Sequence, residues 1–95
     1  MIHITEDKKD SNKVPVGSKD HIRYVTACLY TLAREDEVKI MARGNNVKKA
    51  IDVLAMLVRE YLEKPTYTIE VGSEKFEERF VSTIEIILTG TKKKK

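Results

Sequence analysis

The alternation of apolar and polar residues near the start of the chain predicts a strand followed by a helix. The strand is KVPVG at 13–17, where Pro15 favours an edge position or a strand end because it cannot donate a backbone N–H. Helical spacing then predicts a helix over about 19–34, with Ser18 as the candidate N-cap. Its apolar stripe is formed by Ile22, Val25, Thr26, Leu29, Leu32 and Ala33.

A second strand and a second helix flank a turn without acidic residues. The segment VKIMA at 38–42 alternates as a strand, and Gly44, Asn45 and Asn46 form the turn. The helix that follows has the strongest apolar pattern in the chain, and we expect Lys64-Pro65 to end it. Its stripe is formed by Val47, Ala50, Ile51, Leu54, Leu57, Val58, Tyr61 and Leu62.

This second helix has an unusually wide apolar arc. Val53 and Met56 extend the stripe sideways, which indicates that the helix packs against a second subunit as well as against the core. We therefore predict a homodimer with Val53 and Met56 at its interface.

The last third of the chain predicts two strands joined by a hairpin. TYTIEV at 66–71 and RFVSTIEIIL at 79–88 both read as strands, and GSEKFEE at 72–78 reads as the hairpin between them. The element order is then βαβαββ. Because strand–helix–strand units cross over with right-handed topology, we predict an α+β fold: a two-layer sandwich with a mixed four-stranded sheet and both helices on one face.

Length and charge refine this picture. The 95 residues fit one domain at 13–91, with a flexible arm at 1–12 and a flexible lysine tail at 92–95. Residues 13–91 hold 12 basic and 12 acidic residues, so the domain is neutral overall. It is nevertheless polarised, since 38–51 carries +4 and 70–85 carries −3. No apolar run approaches the ~20 residues of a membrane span, and the N-terminus lacks a signal-like segment, so we expect a cytoplasmic protein.

Residues that would support catalysis or metal binding do not form a recognisable pattern. Cys28 lies amid helical spacing and reads as a small buried hydrophobe. His3 and His21 have no cysteine or paired carboxylates near them in the sequence, and no phosphate-binding glycine motif is present. We therefore expect no enzymatic activity, no metal, no cofactor and no small-molecule substrate.

The basic stretch VKIMARGNNVKKAID at 38–52 predicts an anion-binding site. Unpaired N–H groups at a helix start favour an anion, and Arg43 at the strand exit can bind two phosphate oxygens at once. Lys48 and Lys49 oppose the helix dipole, and an anionic ligand would offset that repulsion. A solvated basic turn is the alternative.

The start of the first helix repeats this arrangement. Lys19 follows the first strand and Arg23 comes one turn later. Because both strands lead into helices, their ends can meet at one edge of the sheet and place Lys19 beside Arg43.

The segments VPVGSK, VKIMARGNNVKKAIDV and RFVSTIEI, in this order, resemble the Alba family of archaeal chromatin proteins over roughly residues 13–91. The resemblance implies a fold like the C-terminal domain of translation initiation factor 3. It also implies a homodimer that associates with the chromosome and binds double-stranded DNA, RNA or both with little sequence preference.

The resemblance assigns nucleic-acid contacts to the two strand-to-helix turns and extends the β3–β4 hairpins as arms that reach the minor groove. The expected contacts are Lys13, Lys19, Arg23, Arg43, Asn45, Lys48 and Lys49. Tyr61 matches an aromatic position at which one dimer packs against another on DNA, and packing in the core or at the helix end is the alternative. Three features depart from the family pattern. Ser18 replaces a lysine that is an acetylation target, Asn45 replaces a second arginine, and the hairpin carries Glu74, Glu77 and Glu78.

Two alternatives stay open. Ser18, Asn45 and the acidic hairpin weaken a grip on duplex DNA more than one on RNA with single-stranded regions, so the chain could be mainly RNA-binding. A structural subunit of a ribonucleoprotein, which binds proteins through its wide apolar helix, is the other alternative.

Overall fold

Four strands and two helices follow one another in the computed structural model, which describes residues 12–93. A 3₁₀ turn, Gly44–Asn46, precedes the second helix, and a π-helical turn, Leu57–Tyr61, follows it. The elements are β1 (Lys13–Pro15), α1 (His21–Leu32), β2 (Val38–Arg43), α2 (Val47–Met56), β3 (Leu62–Phe76) and β4 (Arg79–Lys92).

The strands form one mixed sheet in the order β1-β2-β4-β3. β1 and β2 are parallel because α1 crosses over between them, whereas β4 is antiparallel to both of its neighbours. The predicted α+β fold with the order βαβαββ is confirmed.

The core lies between the helices and one face of the sheet. Alternate residues of the central strands point inward, so that Ile40 pairs with Ile86 and Val38 pairs with Leu88, all fully buried. Val25 and Cys28 reach this layer from α1, and the wide arc of α2 adds further side chains. The α2 contribution consists of Ala50, Val53 and Leu54, followed by Leu57 of the π-helical turn.

The second helix ends earlier than predicted. Helical structure stops at Tyr61, and β3 begins at Leu62, so Lys64-Pro65 lies within a strand instead of ending a helix. The sheet accommodates Pro65 because β3 is an edge strand with an irregular register between Glu63 and Thr66. Leu62 is buried as the first residue of β3, and its place on the helical stripe therefore misled the prediction.

The predicted hairpin at 72–78 is confirmed, and most of it is strand. The ladder between β3 and β4 continues to the pair Phe76–Arg79, which leaves a turn of only Glu77 and Glu78. All residues from 72 to 80 are exposed. We call residues 72–83 the arm, because Gly72 pairs with Thr83 at its base.

β4 extends into the segment that we expected to be a tail. Lys92 pairs with Leu62, and the Lys93 N–H donates a hydrogen bond to the Tyr61 carbonyl at 2.9 Å. The predicted N-terminal arm lies outside the described residues except for Asn12, and Lys94 and Lys95 also lie outside them. No helix within 12–93 is long and apolar enough to cross a membrane.

Candidate nucleic-acid interface

The two strand-to-helix turns lie together at one edge of the sheet. β1 and β2 run in parallel, and the Val16 N–H beyond β1 still donates to the Met41 carbonyl at 2.7 Å. Lys49 Nζ, from the first turn of α2, donates to the Lys19 carbonyl at 2.6 Å. This bond ties the start of the second helix directly to the turn before the first one.

Tyr24 organises the turn that carries Lys19. Its hydroxyl oxygen accepts hydrogen bonds from the N–H groups of Gly17 at 2.9 Å and Lys19 at 3.0 Å. Partial burial raises the pKa of the Tyr24 hydroxyl, but these two bonds and the charges of Lys49 and Lys19 outweigh that effect and lower its pKa. The sequence analysis missed this role, because Tyr24 lies off the apolar stripe of α1.

Neither helix start is capped by a side chain. Asp20, not Ser18, is the N-cap residue of α1, and it makes no side-chain capping bond. Asn46 occupies the same position before α2 and also makes none. The positive end of the α2 dipole is therefore not offset by a capping side chain.

Arg43 ends β2 and projects from the sheet edge, but it already has a partner. Its Nη1 lies 2.7 Å from Oε1 of Glu74, which belongs to the arm. Both side chains are more than half exposed. This bond engages one guanidinium nitrogen, while arginine has five N–H donors in all, so Arg43 retains capacity for an anion.

A second acidic residue pairs with basic side chains at the helix starts. Asp52 Oδ2 on α2 lies 3.2 Å from Lys48 Nζ and 3.3 Å from His21 Nε2 on α1. Hydrogen bonds from Lys48 and from His21 lower the pKa of Asp52. The sequence did not reveal the His21 contact, because 31 residues separate it from Asp52.

The remaining predicted contacts divide into two groups. Arg23 in α1 and Asn45 in the 3₁₀ turn are exposed next to the two turns. Lys13 instead lies at the opposite end of β1, where it pairs with Lys39. Lys39 is four residues before Arg43 on β2, so about 13 Å of strand separates it, and Lys13 beside it, from the turns. The structure therefore does not place Lys13 in the site. We call the set at the turns the basic rim: Lys19, Arg23, Arg43, Asn45, Lys48 and Lys49.

The predicted interface residues also fall into two groups. Val53 is fully buried within the protomer, so it has no surface to offer another subunit. Met56 and Tyr61 are partly buried against the core and remain accessible.

A different apolar surface lies uncovered on β3. Register places Tyr67, Ile69 and Val71 on the helix-bearing face of the sheet, yet they are 49%, 44% and 74% exposed. Ile51 of α2 is also an exposed apolar residue, at 45%. The sequence analysis missed the β3 residues, because alternation predicts a buried face wherever apolar residues recur at every second position.

The described residues show neither a metal-binding cluster nor an activated cysteine. Within 12–93, no group of three or more histidine, cysteine, aspartate or glutamate side chains is arranged to hold a metal ion. Cys28 is buried as predicted, and burial raises the pKa of its thiol to about 12, so it stays protonated at neutral pH.

Comparison with known proteins identifies a matching family model and a protein of similar sequence. The Alba family model matches residues 12–78. A protein of Nitrosopumilus maritimus (strain SCM1), named DNA/RNA-binding protein Alba, is 39% identical over 79 residues, which covers 75% of this chain and 82% of that protein. Its name describes a binding protein, in agreement with the expectation that the chain is not an enzyme.

Two solved structures share the fold. The crystal structure of ALBA1 from Trypanosoma brucei superposes with a TM-score of 0.74 at 25% identity and covers 85% of this chain and 70% of that chain. Alba from Thermoplasma volcanium gives a TM-score of 0.69 at 26% identity and covers 82% of this chain and 99% of that chain.

Proposed function

The chain belongs to the Alba family, and from that premise we propose that it binds nucleic acids through their phosphates, with little sequence preference. The observation that carries the proposal is the basic rim, where two strand-to-helix turns present cations at one sheet edge. Phosphate contacts position a protein on nucleic acid without reading its sequence. Sequence-tolerant binding with strong salt dependence follows from such contacts.

Arg43 is the centre of the proposed phosphate site. It ends β2 immediately before the 3₁₀ turn that leads into α2, and its exposed guanidinium reaches Glu74 of the arm. A guanidinium can pair with two phosphate oxygens at once, which makes the contact directional as well as charged.

The Arg43–Glu74 ion pair is weak enough for a phosphate to replace it. Pairs between exposed side chains contribute only about 0–1 kcal/mol. Glu74 accepts from a single guanidinium nitrogen, whereas a phosphate can accept two parallel hydrogen bonds. Arg43 therefore exchanges a carboxylate of its own chain for a phosphate when nucleic acid binds.

The lysines contribute unequally. Lys49 positions the Lys19 turn through its bond to the Lys19 carbonyl, so part of its role is structural. Lys48 is exposed, but Asp52 offsets part of its charge. Lys19 makes no side-chain ion pair with any residue in 12–93, and it supplies the second phosphate contact.

We also propose a homodimer, held by the uncovered apolar surface of β3 together with Met56 and Tyr61. Three neighbouring apolar side chains on an edge strand are costly to leave in water. A second copy of the chain supplies a matching surface, because a two-fold interface uses the same patch on both subunits. Two basic rims on one dimer would then bind a longer stretch of nucleic acid, as suits an architectural role on the chromosome.

The proposal is tested by titrating a DNA duplex, an RNA duplex and single strands in parallel over a salt series. Fluorescence anisotropy should detect binding whose association constant falls with salt. The logarithm of this constant should fall linearly with the logarithm of the salt concentration, with a slope of about −0.9 for each phosphate contacted on duplex DNA. Failure to bind any nucleic acid at low salt would contradict the proposed function.

A further inference from the structure

The tip of the arm exposes two large aromatic side chains. Phe76 is 60% exposed and Phe80 is 73% exposed. Both lie on a two-stranded extension that has no buried residue between 72 and 80. Neither ring belongs to the buried core or packs against it.

The strand register places each aromatic ring opposite a cation. Phe76 pairs with Arg79, and Phe80 pairs with Lys75. Because successive residues of a strand point to opposite faces, these two pairs lie on opposite faces of the arm. Each face therefore combines an aromatic ring with a positive charge at the tip.

The face that carries Phe76 and Arg79 forms a notch against the body of the protein. A cavity of about 280 Å³ is lined by side chains of β2 and of both arm strands. The lining residues are Arg43, Glu74, Phe76, Arg79 and Val81. Its volume falls just below the ~300–1,000 Å³ of sites for drug-sized ligands, so it suits one flat heterocycle with a phosphate at its mouth.

The charges of the notch favour an anionic ligand. Two arginines and one carboxylate give it a formal charge of +1, and Glu74 holds Arg43 through a single nitrogen. Glu77 and Glu78 form the turn beyond the notch and do not line it.

We propose that this notch binds an unpaired nucleotide, with the base stacked on Phe76 and its phosphate held by Arg79 and Arg43. Aromatic rings with neighbouring cations are the usual platform for single-stranded nucleic acid, because every base offers a flat face for stacking. Bases inside a duplex are already stacked and cannot enter. The arm thereby adds affinity for single strands, bulges and loops to the phosphate binding of the basic rim, and the inference rests on that proposed function.

The test compares three variants of the full chain. Phe76→Leu keeps an apolar side chain but removes the ring, Phe76→Tyr keeps the ring, and Phe80→Leu removes the ring on the other face. The probes are a fluorescent oligothymidylate of about 15 nucleotides, within the range of single-strand site sizes, and a duplex of the same length. A strand that contains one 2-aminopurine reports stacking directly through its fluorescence.

Phe76→Leu should weaken binding of the single strand by about 5- to 30-fold and remove most of the 2-aminopurine signal. Phe76→Tyr should retain both, Phe80→Leu should change them little, and all three variants should bind the duplex as the wild type does. Circular dichroism checks that each variant is folded.

Three outcomes would overturn the inference. Unchanged single-strand binding by Phe76→Leu would exclude stacking on this ring. Equal losses from Phe76→Leu, Phe76→Tyr and Phe80→Leu would show that the rings stabilise the arm instead of binding a base. Wild-type protein that binds the duplex but gives no 2-aminopurine signal would contradict this inference and leave the proposed function intact. Failure to bind either probe would contradict the proposed function itself.

Discussion

At the scale of single residues, two partners compete for Arg43: the Glu74 carboxylate of its own chain and the nucleic-acid phosphate that we propose. Glu74→Gln removes the first partner and keeps the size of the side chain. We expect this variant to tighten duplex-DNA binding about two- to fivefold at low salt, since exposed ion pairs are worth up to about 1 kcal/mol. The gain should fade as salt rises.

Glu78→Gln is the matched control for this measurement. It removes the same charge from the turn of the arm but lies outside the notch with Arg43. Equal gains from the two variants would show that general repulsion by the acidic arm, and not the release of Arg43, limits binding.

Asp52 links stability to pH at the same scale. Its folded pKa lies below the ordinary value because Lys48 and His21 donate to it. A depressed carboxylate pKa stabilises the fold above the unfolded pKa of about 3.9, and this stabilisation is lost as pH falls through the folded pKa. Asp52→Asn should therefore lower the Tm at pH 7.

The difference in Tm between wild type and Asp52→Asn should shrink as the pH is lowered from 5 towards 3, in melts followed by circular dichroism. Glu60→Gln on the π-helical turn serves as the control, since within residues 12–93 Glu60 forms an ion pair only with its neighbour Arg59. A difference that stays constant over this pH range would mean that the Asp52 contacts do not stabilise the fold.

At the scale of elements, the pairing of β3 with β4 is irregular between Glu63 and Thr66, and Gly90 of β4 lies opposite this irregularity. Gly90 has φ = 150°, and a Cβ atom there would lie 3.3 Å from both the Pro65 Cα and the Leu62 Cδ1. Gly90→Ala should therefore destabilise the fold by about 1–3 kcal/mol, measured by urea unfolding.

Gly72→Ala at the base of the arm is the matched control. Its added Cβ would meet only the Thr83 Oγ1 side-chain atom at 3.3 Å, and its φ is not positive. An effect of Gly90→Ala no larger than that of Gly72→Ala would contradict the argument from backbone conformation.

The elements that the sequence predicted well are those with one buried face. The strands β2 and β4 bury every second residue, and each helix buries one stripe. The period of the apolar residues therefore distinguishes these strands from these helices. The arm carries no such signal, because both of its faces are exposed and its apolar and charged residues alternate without a core. The end of α2 was misjudged since Leu62 continues the helical stripe while it already belongs to β3.

The candidate site was predictable to the extent that it is local. The basic turn at 43–49 and its counterpart near Lys19 follow from adjacent residues. The contacts that modify the site join residues about 30 positions apart: Arg43 with Glu74, His21 with Asp52 and Lys49 with the Lys19 carbonyl. Spacing along the chain does not encode such contacts, because they depend on how the elements pack.

At the scale of the whole molecule, the uncovered β3 surface bears on assembly. Ile69→Ser replaces an apolar side chain that is 44% exposed and is not part of the buried core. It should convert the proposed dimer to a folded monomer in sedimentation equilibrium, where the wild type should give about twice 10.9 kDa.

Tyr30→Ser is the control for this variant. Tyr30 is also exposed, at 66%, but it lies on α1, away from β3. A wild-type protein that is monomeric at micromolar concentration, or an Ile69→Ser variant that remains dimeric, would contradict the proposed interface.

The central claim is that Arg43 holds a phosphate of the bound nucleic acid, and a salt series with Arg43→Ala tests it most directly. The variant should bind duplex DNA about 1.5–3 kcal/mol more weakly than the wild type, for all sequences alike, and its salt slope should fall by about one unit. Arg43→Lys should recover part of the loss, because lysine keeps the charge but cannot bind two oxygens in a fork. The Tm should change little, since the exposed guanidinium adds at most about 1 kcal/mol through Glu74. Unchanged affinity and slope for Arg43→Ala would contradict the account and leave this stretch as a solvated basic turn.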